Sequence, residues 1–199
     1  LYIHIKKAGG QSMRGFLKDI YSETNRINPK PFIALPKEEW NDLLNTYRVP
    51  LGEFTFQRTL FARNFLYSKT EFENMFKFTV VRNPYERAVS SWKYLTKFRY
   101  NKQVLKYYAE LASTNPFSLI NQKKQFQLFL ESLPYYWKYP RINLLTATHT
   151  APMLPDISDE NGKVMLNFIG KLENISQDAY YIASKLDLSN KYFPKINSL

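Results

Sequence analysis

Along the chain, short apolar runs alternate with stretches whose apolar residues recur at helical spacing. Leu1–Ile5 is a run of β-compatible residues that ends in Lys6-Lys7-Ala8-Gly9-Gly10. Met13, Phe16, Leu17 and Ile20 then follow the i, i+3, i+4, i+7 spacing of an amphipathic helix. Pro29, Pro31 and Pro36 mark a loop, and Lys37–Thr46 reads as a short helix. Phe54–Phe61 fits either a strand or a loop edge, whereas the Phe/Val content of Phe76–Val81 predicts a buried strand. The helix after it has the clearest start signal, with Asn83 at the N-cap, Pro84 at N1 and Glu86 at N3. Its inward stripe is Tyr85, Val89, Trp92 and Leu95 or Thr96. Further helices are predicted over Lys102–Leu111 and Pro116–Leu133, a loop over Met153–Asn161 and a strand over Val164–Ile169. A last helix begins near Asn174, with Ala179, Ile182, Ala183 and Leu186 on one face. This alternation predicts a three-layer α/β fold, a mostly parallel central sheet flanked by helices. Ligands of such sheets bind at the carboxyl ends of the strands. One domain over residues 1–199 is expected, with a helical insertion at roughly 98–150.

Composition narrows the function. An apolar share of 44% is enough for a core, and the 17% of aromatic residues can line both a core and a substrate groove. No run approaches the ~18 continuous apolar residues of a spanning helix. The chain opens at Leu1 inside an apolar run, without Met or a signal pattern, as an excised or processed domain would. The 28 Lys and Arg against 17 Asp and Glu leave a charge of +11. Such a surplus favours anionic partners: a nucleotide, an acidic glycan, nucleic acid or an anionic membrane face. Solubility alone accounts for it equally well. The absence of cysteine excludes disulfides, thiolate metal sites and a Cys nucleophile. It also fits a reducing compartment. A bacterial cytoplasmic location is therefore expected, with a Golgi lumen open if an upstream anchor has been removed.

Two segments carry candidate chemistry. In Lys7-Ala8-Gly9-Gly10-Gln11-Ser12 a glycine loop leads from a strand into a helix. A helix N-terminus offers unpaired N–H groups, glycines let backbone approach a phosphate, and Lys and Ser add donors. The ATP-type loop needs Gly-Lys-Ser/Thr, which occurs nowhere in the chain. A plain glycine turn fits this segment too. In Val80-Val81-Arg82-Asn83-Pro84-Tyr85-Glu86-Arg87-Ala88-Val89-Ser90, Arg82 sits at a strand end and Ser90 two turns into the next helix. An Arg and a Ser so placed can grip a second phosphate; a capped helix whose Arg pairs with a carboxylate is the plainer alternative.

Together these segments resemble the PAPS-dependent sulfotransferase superfamily, above all its carbohydrate (family 2-like) branch. PAPS is 3′-phosphoadenosine 5′-phosphosulfate. His4-Ile5-Lys6-Lys7-Ala8-Gly9-Gly10-Gln11-Ser12 is similar to the family's 5′-phosphosulfate loop, with Lys6 in place of Pro and Gln11 in place of Thr. Val81-Arg82-Asn83-Pro84 with Ser90 resembles its 3′-phosphate motif, and Phe168-Ile169-Gly170-Lys171-Leu172-Glu173-Asn174 a stretch near the end of such domains. The resemblance implies a P-loop-like fold and transfer of a sulfuryl group from PAPS to a hydroxyl acceptor. The acceptor would be a glycan or glycolipid, and no metal would be needed. By the same resemblance Lys7 touches the sulfuryl group and its bridging oxygen. Ala8, Gly9, Gly10, Gln11 and Ser12 belong to the 5′-phosphate loop, and Arg82 and Ser90 hold the 3′-phosphate.

The acceptor's general base is less plain. Where many relatives carry a His in a Lys-His-x-x-Ala stretch, this chain reads Arg58-Thr59-Leu60-Phe61-Ala62. His4 lies in the first strand and reads as core. His149, in a Thr-His-Thr-Ala-Pro loop, resembles a family His-x-x-Pro element, and its unperturbed pKa of ~6.5 suits proton transfer. It is the first choice, with Glu53 the second. The Tyr135–Tyr139 aromatic cluster reads as packing at a helix end, and Gln122-Lys123-Lys124 as a solvated helix face. Two other functions stay open: a P-loop-like nucleotide-dependent kinase, against which the missing Gly-Lys-Ser/Thr counts, and a non-enzymatic polyanion-binding module. No nucleic-acid-binding signature supports the latter.

Overall fold

The computed structural model describes residues 1–17, 56–97 and 122–188. Contacts divide the chain into two compact units, Leu1–Asn83 with Pro152–Leu199, and Pro84–Ala151. The predicted loop around Pro29–Pro36 and the predicted helices Lys37–Thr46 and Lys102–Leu111 lie outside the described residues.

In the first unit, β1 (Tyr2–Ile3), β2 (Phe78–Val81) and β3 (Phe168–Lys171) form a parallel sheet with β2 at its centre. The register pairs Tyr2 with Phe78 and Ile3 with Thr79, then runs from Phe78 opposite Phe168 to Val81 opposite Lys171. Side-chain alternation sends Ile3, and Ile5 beyond the strand, to a cluster with Phe61, Ala62, Leu66 and Phe72. Tyr2, Phe78 and Val80 point the other way, onto Met13 and Phe16 of α1 (Gly10–Phe16) and Ala179, Ile182 and Ala183 of α7 (Ile175–Lys185). Both faces are therefore covered by helices, as parallel sheets require. Each large side chain buried in this way contributes about 1.5–3 kcal/mol.

Two predicted elements are corrected here. In the segment Phe54–Phe61, Arg58–Phe61 forms not a strand but α2, which continues as a π-helical turn over Ala62–Leu66. Buried Asp156, in a 3₁₀ turn at Leu154–Asp156, accepts from the backbone N–H of Arg58 (3.2 Å) and pairs with its guanidinium. Its carbonyl accepts from Thr59 Oγ1 at 2.7 Å. Those bonds tie the segment down as helix. α3 (Lys69–Asn74) follows, opened by a Ser68–Glu71 capping box and closed by the Lys77 ammonium on the carbonyls of Phe72 (2.7 Å) and Met75 (2.9 Å). The strand expected over Val164–Ile169 begins only at Phe168, because Ser158 and Val164 form an antiparallel bridge inside a turn built on Asp159.

The second unit packs α4 (Pro84–Lys97), α5 (Gln122–Lys138) and α6 (Leu144–Thr150) around Leu95, Phe129, Leu133 and Tyr136. α5 does not stop before Pro134 but runs four residues beyond it, held by Leu133 and Tyr136 on either side of the proline. The buried face of α4 also differs from the predicted stripe: Tyr85 is 82% exposed, while Arg87, Ser90 and Ser91 are buried. Hydrogen bonding explains the shift. Arg87 Nη1 donates to the carbonyls of Thr150 (3.4 Å) and Ala151 (2.8 Å), and Ser91 Oγ to that of His149 (2.8 Å). These are the carbonyls that the end of α6 leaves without intrahelical partners.

Candidate functional site

The loop between β1 and α1 is built on left-handed backbone. Lys7 has φ 66° and Gly9 φ 78°. For a lysine this costs ~1–2 kcal/mol, which the surrounding packing must hold. Gly9 lies at the N-cap of α1 and brings no side chain to cap it, so the first-turn N–H groups face outward from the helix end. Both glycines are demanded by what lies beneath the loop. A Cβ on Gly9 would sit 2.7 Å from Leu172 Cδ1, and one on Gly10 only 1.7 Å from His4 Nε2. His4 is buried, as its core reading requires, and its Nδ1 lies 3.4 Å from the ammonium of buried Lys6.

Lys7 stands above this packed base, half-buried. Burial first, and the charge of Arg82 second, lower its pKa from the usual 10.5. The second cause places two cations within electrostatic reach of each other. They follow β1 and β2, adjacent strands of one parallel sheet, so both stand at its carboxyl end. Like charges near each other disfavour the ionised forms, and an anion bound beside them would offset that cost. Ala8 and Ser12 are buried, Gln11 is exposed and Arg82 is half-buried.

The third segment ties the first two together. Leu172 packs against Gly9, and Glu173 Oε1 accepts the backbone N–H of Asn83 at 2.7 Å. The Lys171 N–H donates to Asp178 Oδ2 at 2.6 Å, and Gly170 leaves room for that carboxylate. The Leu172–Gly9 and Glu173–Asn83 contacts have no local signal, because each joins residues far apart in the chain.

In the second unit, Ser90 is buried on α4. His149 is not in a loop: it occupies the last turn of α6, buried and stacked on Tyr94 at 4.8 Å with 14° between the rings. Its Nδ1 is 2.7 Å from the carbonyl oxygen of Leu145. A carbonyl only accepts, so Nδ1 carries the proton and the lone pair of the neutral ring belongs to Nε2. Asn143 caps the start of α6 by accepting from the Thr146 N–H at 3.0 Å, and Trp137 Nε1 donates to Thr150 Oγ1 at 3.0 Å. Together with Arg87 and Ser91, these bonds fix the imidazole from both ends of its helix. Thr59 is fully buried, with its hydroxyl donating to the Asp156 carbonyl. Glu53 lies outside the described residues.

The described residues hold no cluster of His, Cys, Asp and Glu able to bind a metal, and no helix long and apolar enough to cross a membrane. No curated protein and no solved structure matches the chain. A sequence profile of the sulfotransferase family matches residues 1–198, in keeping with the parallel sheet, the glycine loop and the paired cations at its carboxyl end, and the chain belongs to that family.

Proposed function

We propose that this chain transfers the sulfuryl group of PAPS to a hydroxyl of a carbohydrate acceptor, a glycan or glycolipid. The observation that carries the reading is the convergence of Lys7 and Arg82 at the ends of two adjacent parallel strands. A donor with phosphate at both ends of its nucleoside needs two cationic arms, and the outward N–H groups at Gly10–Ser12 add to the first. By the resemblance, Lys7, Ala8, Gly9, Gly10, Gln11 and Ser12 would hold its 5′-phosphosulfate, and Arg82 and Ser90 its 3′-phosphate.

Bound there, PAPS supplies an activated sulfuryl group on a phosphate leaving group. Lys7 offsets the negative charge that develops on the leaving oxygen, the contribution expected of a preorganised cation in group transfer. By the resemblance, His149 would accept the proton of the acceptor hydroxyl, with Glu53 the alternative base. A carbohydrate acceptor is favoured by the α5 end. Tyr136 packs into the core, but Tyr135 and Tyr139, read from sequence as packing, are 39% and 45% exposed and lie 5.2 Å apart. The Lys138 ammonium stands over Tyr139. Exposed rings of this kind stack on the apolar faces of sugars.

The test is transfer from radiolabelled PAPS by Lys7→Ala and Arg82→Ala. Each is expected to abolish transfer while the protein still unfolds cooperatively at the wild-type midpoint. Undiminished transfer by both would end the assignment.

A further inference from the structure

The β2–β3 register ends with Val81 opposite Lys171, and Asn83 and Glu173 each lie two residues beyond it. Glu173 uses that position, with Oε1 accepting the Asn83 N–H at 2.7 Å. Arg82 is thus held on both sides, by the β2–β3 ladder at Val81 and by this carboxylate at Asn83. The turn carrying Glu173 is fixed in its own right. The Lys171 N–H donates to Asp178 Oδ2 at 2.6 Å, and Leu172 lies against Gly9 of the other arm. An exposed carboxylate next to a phosphate-binding arginine opposes anion binding through space, and a site built for anions has reason to exclude it. The bond to the Asn83 N–H gives this carboxylate a role there despite its charge.

We infer that Glu173 is a positioning residue for Arg82, aiming the guanidinium at the 3′-phosphate and so setting the preference for a 3′-phosphorylated nucleotide over one without that group. The inference rests on the PAPS reading above. Leu172 and Glu173 together span the two arms, Leu172 at the glycine loop and Glu173 at the Arg82 turn. One short 3₁₀ turn, Leu172–Asn174, thereby fixes the separation between the sites for the two ends of the donor.

Calorimetric titration with two probes tests this: the desulfonated donor (3′-phosphoadenosine 5′-phosphate, PAP) and 5′-AMP, which lacks only the 3′-phosphate. The ratio of their affinities isolates the Arg82 arm, which a general loss of structure would not do. Glu173→Ala is expected to lower the PAP-to-AMP ratio about three- to tenfold, the scale of one net hydrogen bond. AMP affinity and the unfolding midpoint should hold, since the side chain is exposed. Glu173→Gln keeps an acceptor oxygen and should stay within about twofold of wild type. An unchanged ratio in Glu173→Ala overturns the inference, and so does an equal fall in both variants. A wild-type protein with no preference for PAP refutes the PAPS reading itself, an outcome visible before any variant is made.

Discussion

Replacing Gly10 with alanine would place a methyl group where the His4 ring already lies. The new Cβ would sit 1.7 Å from Nε2, 2.3 Å from Cδ2 and 2.5 Å from Cε1, whereas ordinary contact begins at 3.4 Å. The imidazole is buried, stacked on Tyr2 at 6.0 Å and held at Nδ1 by Lys6, so it has little room to retreat. Forcing a methyl into such a site costs typically about 1–3 kcal/mol. Alanine in a helix gains about 0.5–1 kcal/mol over glycine. The net expectation is a loss of about 1–2 kcal/mol, read as a fall in the urea midpoint at unchanged slope. Removing the ring should remove the conflict. In the His4→Ala background the same Gly10→Ala change should instead gain about 0.5–1 kcal/mol, giving an interaction energy of about 1–3 kcal/mol across the cycle. Strict additivity, or a Gly10→Ala protein as stable as wild type, would refute the claim that packing beneath the loop demands this glycine.

Asp156→Ala leaves the Arg58 guanidinium buried without its carboxylate, and should destabilise by about 3–5 kcal/mol in chemical denaturation. A loss under 1 kcal/mol would show the pair to be dispensable. Because burial and then Arg82 lower the Lys7 pKa, the folded protein gives up that proton at lower pH than the unfolded chain does. The stability tied to Lys7 therefore rises with pH between the folded value and the unfolded 10.5. Amine-labelling at mildly alkaline pH should modify Lys7 ahead of exposed lysines such as Lys123, and Arg82→Ala should slow it by removing the second cause. Labelling of Lys7 no faster than Lys123, or unaffected by Arg82→Ala, would contradict the pairing of the two cations.

What the residues disclosed follows from how local each signal was. The apolar β-compatible run Leu1–Ile5 and the Phe/Val content of Phe76–Val81 are local signals, and β1 and β2 lie within them. The stripe Ala179, Ile182, Ala183 is likewise a local pattern, and both elements stand where the pattern puts them. The same logic failed on α4, since a stripe count treats Arg87 and Ser91 as solvent-seeking. They are buried because the end of α6 supplies carbonyls for them, a fact held in distant residues. Arg58–Phe61 was undecidable for a similar reason: its helix depends on Asp156, 98 residues away. The Ser68–Glu71 capping box, by contrast, is a Ser-x-x-Glu signal readable in the sequence and passed over there. At the candidate site, Lys7 and Arg82 follow β1 and β2, adjacent strands of one parallel sheet. The roles of Leu172 on Gly9 and Glu173 on Asn83 needed the fold to bring them together.

The central claim is that Lys7 and Arg82 form the two ends of one clamp for a doubly phosphorylated adenosine. Competitive calorimetry on the unmodified protein tests it most directly, with PAP set against Mg²⁺-ATP in the same cell. The account predicts that PAP displaces Mg²⁺-ATP and binds without added metal. Tighter binding of Mg²⁺-ATP, or polyanion binding that disappears with salt and ignores PAP, would contradict it.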